Sequence, residues 1–89
     1  MFYTYNLLMS NNEIYTGYTT DLKRRIIEHN CGGNKTTRKF LPVKLIHYEA
    51  YLDENDAKRR EEYLKTSKGK STLRMMLKEY LNKLNYKGP

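Results

Sequence analysis

A chain of 89 residues is expected to form one domain, long enough for a single core and too short for two. Its 17 Lys and Arg against 10 Asp and Glu leave a net charge of +7, so the expected partner is a polyanion, nucleic acid before an acidic membrane surface. There is no long apolar run and no basic-then-apolar leader, so a soluble, unprocessed chain is expected; a single cysteine, Cys31, excludes an internal disulfide or a thiolate metal cluster and fits a cytoplasmic location.

Phe2 to Met9 is rich in aromatic and apolar residues and runs into Ser10-Asn11-Asn12-Glu13, a turn composition, before a second strand begins at Ile14. The register of this hairpin decides what can meet. For Tyr5 and Tyr15 to share a face, strand alternation requires an odd-length loop or a bulge. A two-residue Asn11-Asn12 turn would pair Tyr5 with Tyr18 and send Tyr15 to the opposite face, and is not expected. After Gly17, Thr20 or Asp21 can cap a helix running to about Asn30. On that helix Leu22 and Ile26 form the apolar stripe, Arg25 and His29 lie at its edge, and Arg24 and Glu28 form an i,i+4 pair on the solvent side. Cys31-Gly32-Gly33-Asn34 suits a C-cap and loop.

Lys35-Thr36-Thr37-Arg38-Lys39 reads as a basic loop suited to phosphate-backbone contact. Val43 to Tyr51 is the third strand, and Asp53-Glu54-Asn55-Asp56 supplies acidic helix-start chemistry. In the helix that follows, Ala57, Glu61 and Leu64 share an inward face, while Glu62 lies nearer the side of Lys58 and Lys65. An inward carboxylate is costly unless paired with a cation such as Arg25 or bound to a metal, which singles out Glu61. Gly69 is expected to break this helix and Ser71 to cap a last one, from Thr72 to about Asn85, with Leu73, Met76, Leu77, Tyr80, Leu81 and Leu84 as its packing stripe. Gly69-Lys70-Ser71 is not a P-loop, because Leu64 stands where that motif needs its first glycine and a helix precedes it.

Tyr3-Thr4-Tyr5, Tyr15-Thr16-Gly17, Asp21 to Arg25 with Glu28-His29-Asn30, and Ala57 to Lys65 occur in an order and spacing that resemble the GIY-YIG nuclease superfamily, in particular its small stand-alone members. The resemblance runs from Phe2 to about Leu77. It implies an α/β (α+β) fold, with a three-stranded antiparallel sheet flanked by helices, in one domain spanning 1–89 with a core over about 1–66 and a helical part over about 70–86. It also implies phosphodiester cleavage with one divalent cation, Mg2+ or another such as Mn2+. By the same resemblance, Tyr5 is the tyrosine of the first motif, and Tyr15 and Gly17 belong to the second. Arg25 is the helix arginine, His29 the tyrosine-or-histidine position one turn on, and Glu61 the metal-binding carboxylate. Two departures are visible. The first motif reads Tyr-Thr-Tyr rather than Gly-Ile-Tyr, and Leu73-Arg74-Met75-Met76 stands where some members carry an asparagine.

The residue types suit the chemistry. A phosphodiester repels nucleophiles, so its hydrolysis needs a cation clamp, an activated water and help for the leaving oxygen. Glu61 would hold the metal, and Arg25 would offer a fork of donors to the non-bridging oxygens. Tyr15 or Tyr5 would take the proton from water, its pKa lowered by the arginine and metal; His29 could be the base instead or orient the water. Gly17, Lys35, Arg38 and Lys39 are candidate nucleic-acid contacts. His47, in mid-strand, is expected to be structural. The expected substrate is DNA before RNA, at branched or distorted structures. A non-catalytic nucleic-acid-binding module of the same fold is the alternative, and Met75, Met76 and Leu77 on the last helix could dock a protein partner.

Overall fold

The computed structural model describes residues 1–87; Gly88 and Pro89, the end of the expected 1–89 domain, lie outside the described residues. In chain order the elements are β1 (Phe2–Leu8), β2 (Ile14–Thr19), α1 (Leu22–Asn30), a 3-10 turn (Thr37–Phe40), β3 (Lys44–Tyr51), α2 (Glu54–Lys65), α3 (Ser67–Met76) and α4 (Lys78–Lys87). The sheet is antiparallel in the order β2-β1-β3. This is the α+β architecture expected, a three-stranded sheet with helices on both faces.

The hairpin loop runs over Met9–Glu13, an odd length, closed by the Met9 N–H on the Glu13 carbonyl at 2.9 Å and turned at Asn12, whose φ is 67°. Tyr5 therefore lies opposite Gly17, and Leu7 opposite Tyr15. Residues 15 and 17 point the same way along β2, so Tyr5 and Tyr15 share a face, as the odd loop demands. That face packs on α1. Tyr5, Leu7, Met9 and Val43 are its buried core, with Leu22 and Ile26 of α1 and Phe40 and Leu41 against them.

The other face carries α2. Ala57 and Leu64 are buried, Glu61 is half-buried and Glu62 is exposed, as their angular positions predict. Thr4, pointing away from Tyr5, donates its hydroxyl to the Ala57 carbonyl at 2.7 Å. A bidentate pair from Arg60 to Glu49 of β3, at 2.9 and 3.2 Å, fixes the helix laterally.

The C-terminal helices differ from expectation. Thr66, not Gly69, separates α2 from α3: its hydroxyl accepts the Gly69 N–H at 3.0 Å as an N-cap, with extended backbone. Gly69 lies inside α3 because that helix crosses the end of α2 so closely that a Cβ there would run into the Tyr63 carbonyl. A close backbone approach, rather than helix breaking, is why a glycine stands here. The expected single helix over 72–85 is instead divided at Leu77 into α3 and α4. Leu73 is buried and Leu77, Tyr80, Leu81 and Leu84 are half-buried, but Met75 and Met76 are exposed.

Candidate active site

Asp21 starts α1 by accepting the Arg24 N–H at 3.1 Å, and two turns later the helix delivers His29 into the core with no exposed surface. Both ring nitrogens are engaged: Nε2 lies 2.8 Å from the Tyr5 hydroxyl, and Nδ1 lies 2.8 Å from Thr37 Oγ1 on the 3-10 turn. Burial, reinforced by the Arg25 charge, pushes the His29 pKa down, so the ring is neutral at pH 7. The Arg25 guanidinium stands against the Tyr5 hydroxyl, the main reason its own pKa rises. Arginine only donates, so the phenol meets it with a lone pair and sends its own proton toward His29 Nε2. The ring proton is then on Nδ1 and donates to Thr37.

Tyr5 is itself 1% exposed. Burial pushes its pKa up to about 12, and Arg25 only partly opposes that rise. Arg25 lowers this phenol's pKa in the expected direction, but desolvation is the larger cause and leaves it raised. Tyr15 packs its ring edge-on to His29, at 5.2 Å between centroids, and is 6.4 Å from Tyr5. It is half-buried, and the Asn34 side-chain amide donates to its hydroxyl at 3.3 Å.

Arg25 and Glu61 are the partly exposed charged residues of the predicted set. The Arg25 side chain is partly exposed and pairs with Glu28 at 3.2 Å. Glu61 pairs not with Arg25 but with Lys65, one turn along α2, at 2.9 Å. Its charge lies near enough to Tyr5 to add, as the smallest of the raising causes, to the rise of that phenol's pKa. Tyr5, Tyr15, Arg25 and His29, scattered over more than twenty positions in the chain, are brought to one place, with the charge of Glu61 within electrostatic reach of Tyr5.

The model of the GIY-YIG catalytic domain matches residues 1–74, a span that holds all five of those side chains. The chain belongs to the GIY-YIG family. This is a nuclease family, and the chain's curated relatives are small proteins of the same kind. It is 50% identical over 64 residues to a UPF0213 protein of Streptococcus agalactiae, covering 71% of this chain and 73% of the relative. With a UPF0213 protein of the archaeon Haloquadratum walsbyi it shares 45% identity over 65 residues, 72% and 73% of the two chains. The solution NMR structure of a UPF0213 protein from Bacillus halodurans superposes with a TM-score of 0.55 at 36% identity, over 85% of each chain.

Two carboxylates belong to the charged groups here, Glu61 beside Lys65 and Glu28 beside Arg25. Among the described residues no group of three or more His, Cys, Asp or Glu could enclose a metal ion. That donor set fits Mg2+, which keeps most of its water and is commonly held by one or two carboxylates together with substrate phosphate. It does not fit a closed zinc centre. Lys35, Arg38 and Lys39 are exposed on the segment that also supplies Asn34 to Tyr15 and Thr37 to His29. Gly17 is a correction. It is buried, and the tip of the Tyr5 ring fills the place its side chain would take. Its role is to let that ring lie across the edge strand, not to touch a nucleic acid. His47 lies on the opposite face, bonded to Asn6 at 3.1 Å.

Thr37, Asn34 and Lys65 complete the site and were not anticipated. Lys65 stands four residues after Glu61, a spacing that signals an i,i+4 pair. Thr37 and Asn34 carry no such signal, since their partners lie across a loop with no periodicity. Among the described residues no helix is long and apolar enough to cross a membrane.

Proposed function

We propose that this chain is a divalent-metal-dependent endonuclease that hydrolyses phosphodiester bonds in DNA, acting in the cytoplasm at branched or distorted structures. The observation that carries this is the buried chain Thr37–His29–Tyr5, which ends against Arg25 and Tyr15, with the Glu61 charge within electrostatic reach. A phenol with a pKa near 12 is a poor base by itself. Bonded to a neutral imidazole, it can pass its proton to His29 Nε2 as it takes one from water, so the pair acts as a single acceptor. His29, wholly buried, works only through Tyr5 and is a positioning and relay group. Thr37 holds the tautomer that leaves Nε2 free to accept.

Arg25 offers paired donors to the non-bridging oxygens where charge grows as the water oxygen bonds to phosphorus. Tyr15, at the mouth, orients the same phosphate. Glu61 would hold the divalent cation, which when bound supplies charge neutralisation on the phosphoryl group. Lys35, Arg38 and Lys39 would grip flanking phosphates, a contact that positions a nucleic acid without reading its bases.

The test is cleavage of a panel of branched, flapped, single-stranded and duplex DNA with Mg2+ and with chelator, beside Arg25→Ala and Glu61→Gln. Loss in both variants with the fold retained supports the proposal. Salt-dependent binding without cleavage by the parent chain would instead make it a binding module.

A further inference from the structure

Asn34 uses both ends of its amide. Half-buried where the loop after α1 enters the 3-10 turn, it accepts the Thr36 N–H at 2.9 Å and the Thr37 N–H at 3.0 Å on Oδ1, and its main-chain carbonyl accepts the Arg38 N–H at 3.0 Å. A backbone N–H only donates, so the end of the amide facing Thr36 and Thr37 is the oxygen. The end that lies 3.3 Å from the Tyr15 hydroxyl is then the NH2 group, which only donates as well. In that bond the Tyr15 oxygen is the acceptor, and its own proton is left to point elsewhere.

Among the described residues that proton has no acceptor. The neighbouring phenol, Tyr5, is engaged with His29, and Arg25, within electrostatic reach of Tyr15, carries donors only. An arginine fork and a hydroxyl proton without a protein acceptor suit a ligand made of acceptors, which the non-bridging oxygens of a phosphodiester are. The same amide reaches the buried relay, because the turn it caps carries Thr37, whose hydroxyl meets His29 Nδ1 at 2.8 Å. One side chain thus sets both the direction of the Tyr15 hydroxyl and the seat of the group that holds His29.

Resting on the nuclease reading, we propose that Asn34 is a positioning residue that acts through Tyr15: its NH2 group occupies the phenol oxygen and so commits the hydroxyl to donate to a non-bridging oxygen of the phosphate that Arg25 holds. Asn34 itself touches no substrate. Its effect is on which way one proton points.

The test pairs Asn34→Asp with Tyr15→Phe in the full chain. Aspartate keeps an oxygen for the Thr36 and Thr37 amides but turns a second oxygen, an acceptor, toward Tyr15, so the phenol donates backward and is lost to the phosphate. Mg2+-dependent cleavage of DNA should slow by about 10- to 10²-fold in each single variant, and the double variant should be no slower than the slower single one, as expected of two changes acting through one hydroxyl. Losses that multiply would mean that residue 34 acts through its new charge or through the turn, and would overturn the proposal; an unchanged rate in either single variant would do the same. A second measurement needs neither cleavage nor an Asn34 variant that folds. In 15N NMR with chelator, the side-chain amide signals of Asn34 should move between the parent and Tyr15→Phe while the Thr37 backbone amide stays in place, and side-chain signals blind to the lost hydroxyl would also overturn the proposal. A parent chain that cleaves no DNA, with these signals moving as expected, would overturn the nuclease reading and the role at the phosphate with it.

Discussion

The two histidines of this chain sit on opposite faces of one sheet, each inside a hydrogen-bonded network, and only one network leads anywhere. His47 bonds to Asn6, which bonds to Thr16 at 2.9 Å, and beside it Glu49 is held by Tyr51 and Arg60. Burial alone would raise the Glu49 pKa, but the Tyr51 and Arg60 hydrogen bonds outweigh it and hold the carboxyl below its ordinary range. Every partner there is spent on another, and the result is a seam joining β3 to α2. His29 instead hands its free nitrogen to Tyr5, which meets the partly exposed Arg25 guanidinium and lies beside a second phenol, Tyr15. Buried polarity marks both places. The chain that ends in groups still able to take a ligand is the one suited to chemistry.

The largest effects should come from the open end. Arg25→Ala and Glu61→Gln should each lower the cleavage rate by about 10²- to 10³-fold or more while circular dichroism and Tm stay near those of the parent. Next is Tyr5→Phe, which removes only the hydroxyl between Arg25 and His29. Its rate should fall about 10²-fold or more, with a stability loss of about 1–3 kcal/mol from the orphaned imidazole nitrogen. Asn6→Ala sharpens the contrast. It should cost a similar 1–3 kcal/mol, roughly, in denaturant unfolding yet leave the rate unchanged; a rate falling as far as in Tyr5→Phe would erase the distinction between the faces.

The smallest effect is on pH. His29 has a depressed pKa when folded, so as pH drops below about 6.5 the unfolded chain takes up a proton before the folded one does. Its share of stability is complete above that pH, is lost as pH falls toward the lowered folded value, and changes no further below it. Tm measured across this range should show the fall in the parent and not in His29→Gln.

Much of this was legible in residues 1–65. Strand alternation with an odd loop puts Tyr5 beside Tyr15, Asp21 caps α1, and the 3.6-residue period turns Glu61 inward between Ala57 and Leu64. The rest depended on contacts that leave no local pattern. His29 looked like an edge residue from its helix alone, and only the 3-10 turn closing over it makes it buried. Gly69 looked like a helix breaker because propensity cannot see a neighbouring backbone. The net rise of the Tyr5 pKa has a related reason: the arginine that lowers it is visible in the sequence, and the extent of desolvation is not.

Asn30 ends α1 by doing the work of a missing strand. Its side-chain amide donates to the Val43 carbonyl at 3.2 Å and its carbonyl accepts the Val43 N–H at 2.8 Å, the pair of bonds a neighbouring peptide would make. The chain from 31 to 42 is thereby a loop fastened at its root by one side chain, with the helix that carries Arg25 and His29 on one side and the sheet on the other. Its exposed positions 35, 36, 38 and 39 can change without moving either, provided a hydroxyl still reaches Nδ1, Asn34 still reaches Tyr15 and Phe40 and Leu41 stay packed on the core. That makes it a natural cassette, through which proteins on this scaffold can exchange one substrate rim for another while the groups beneath stay in place.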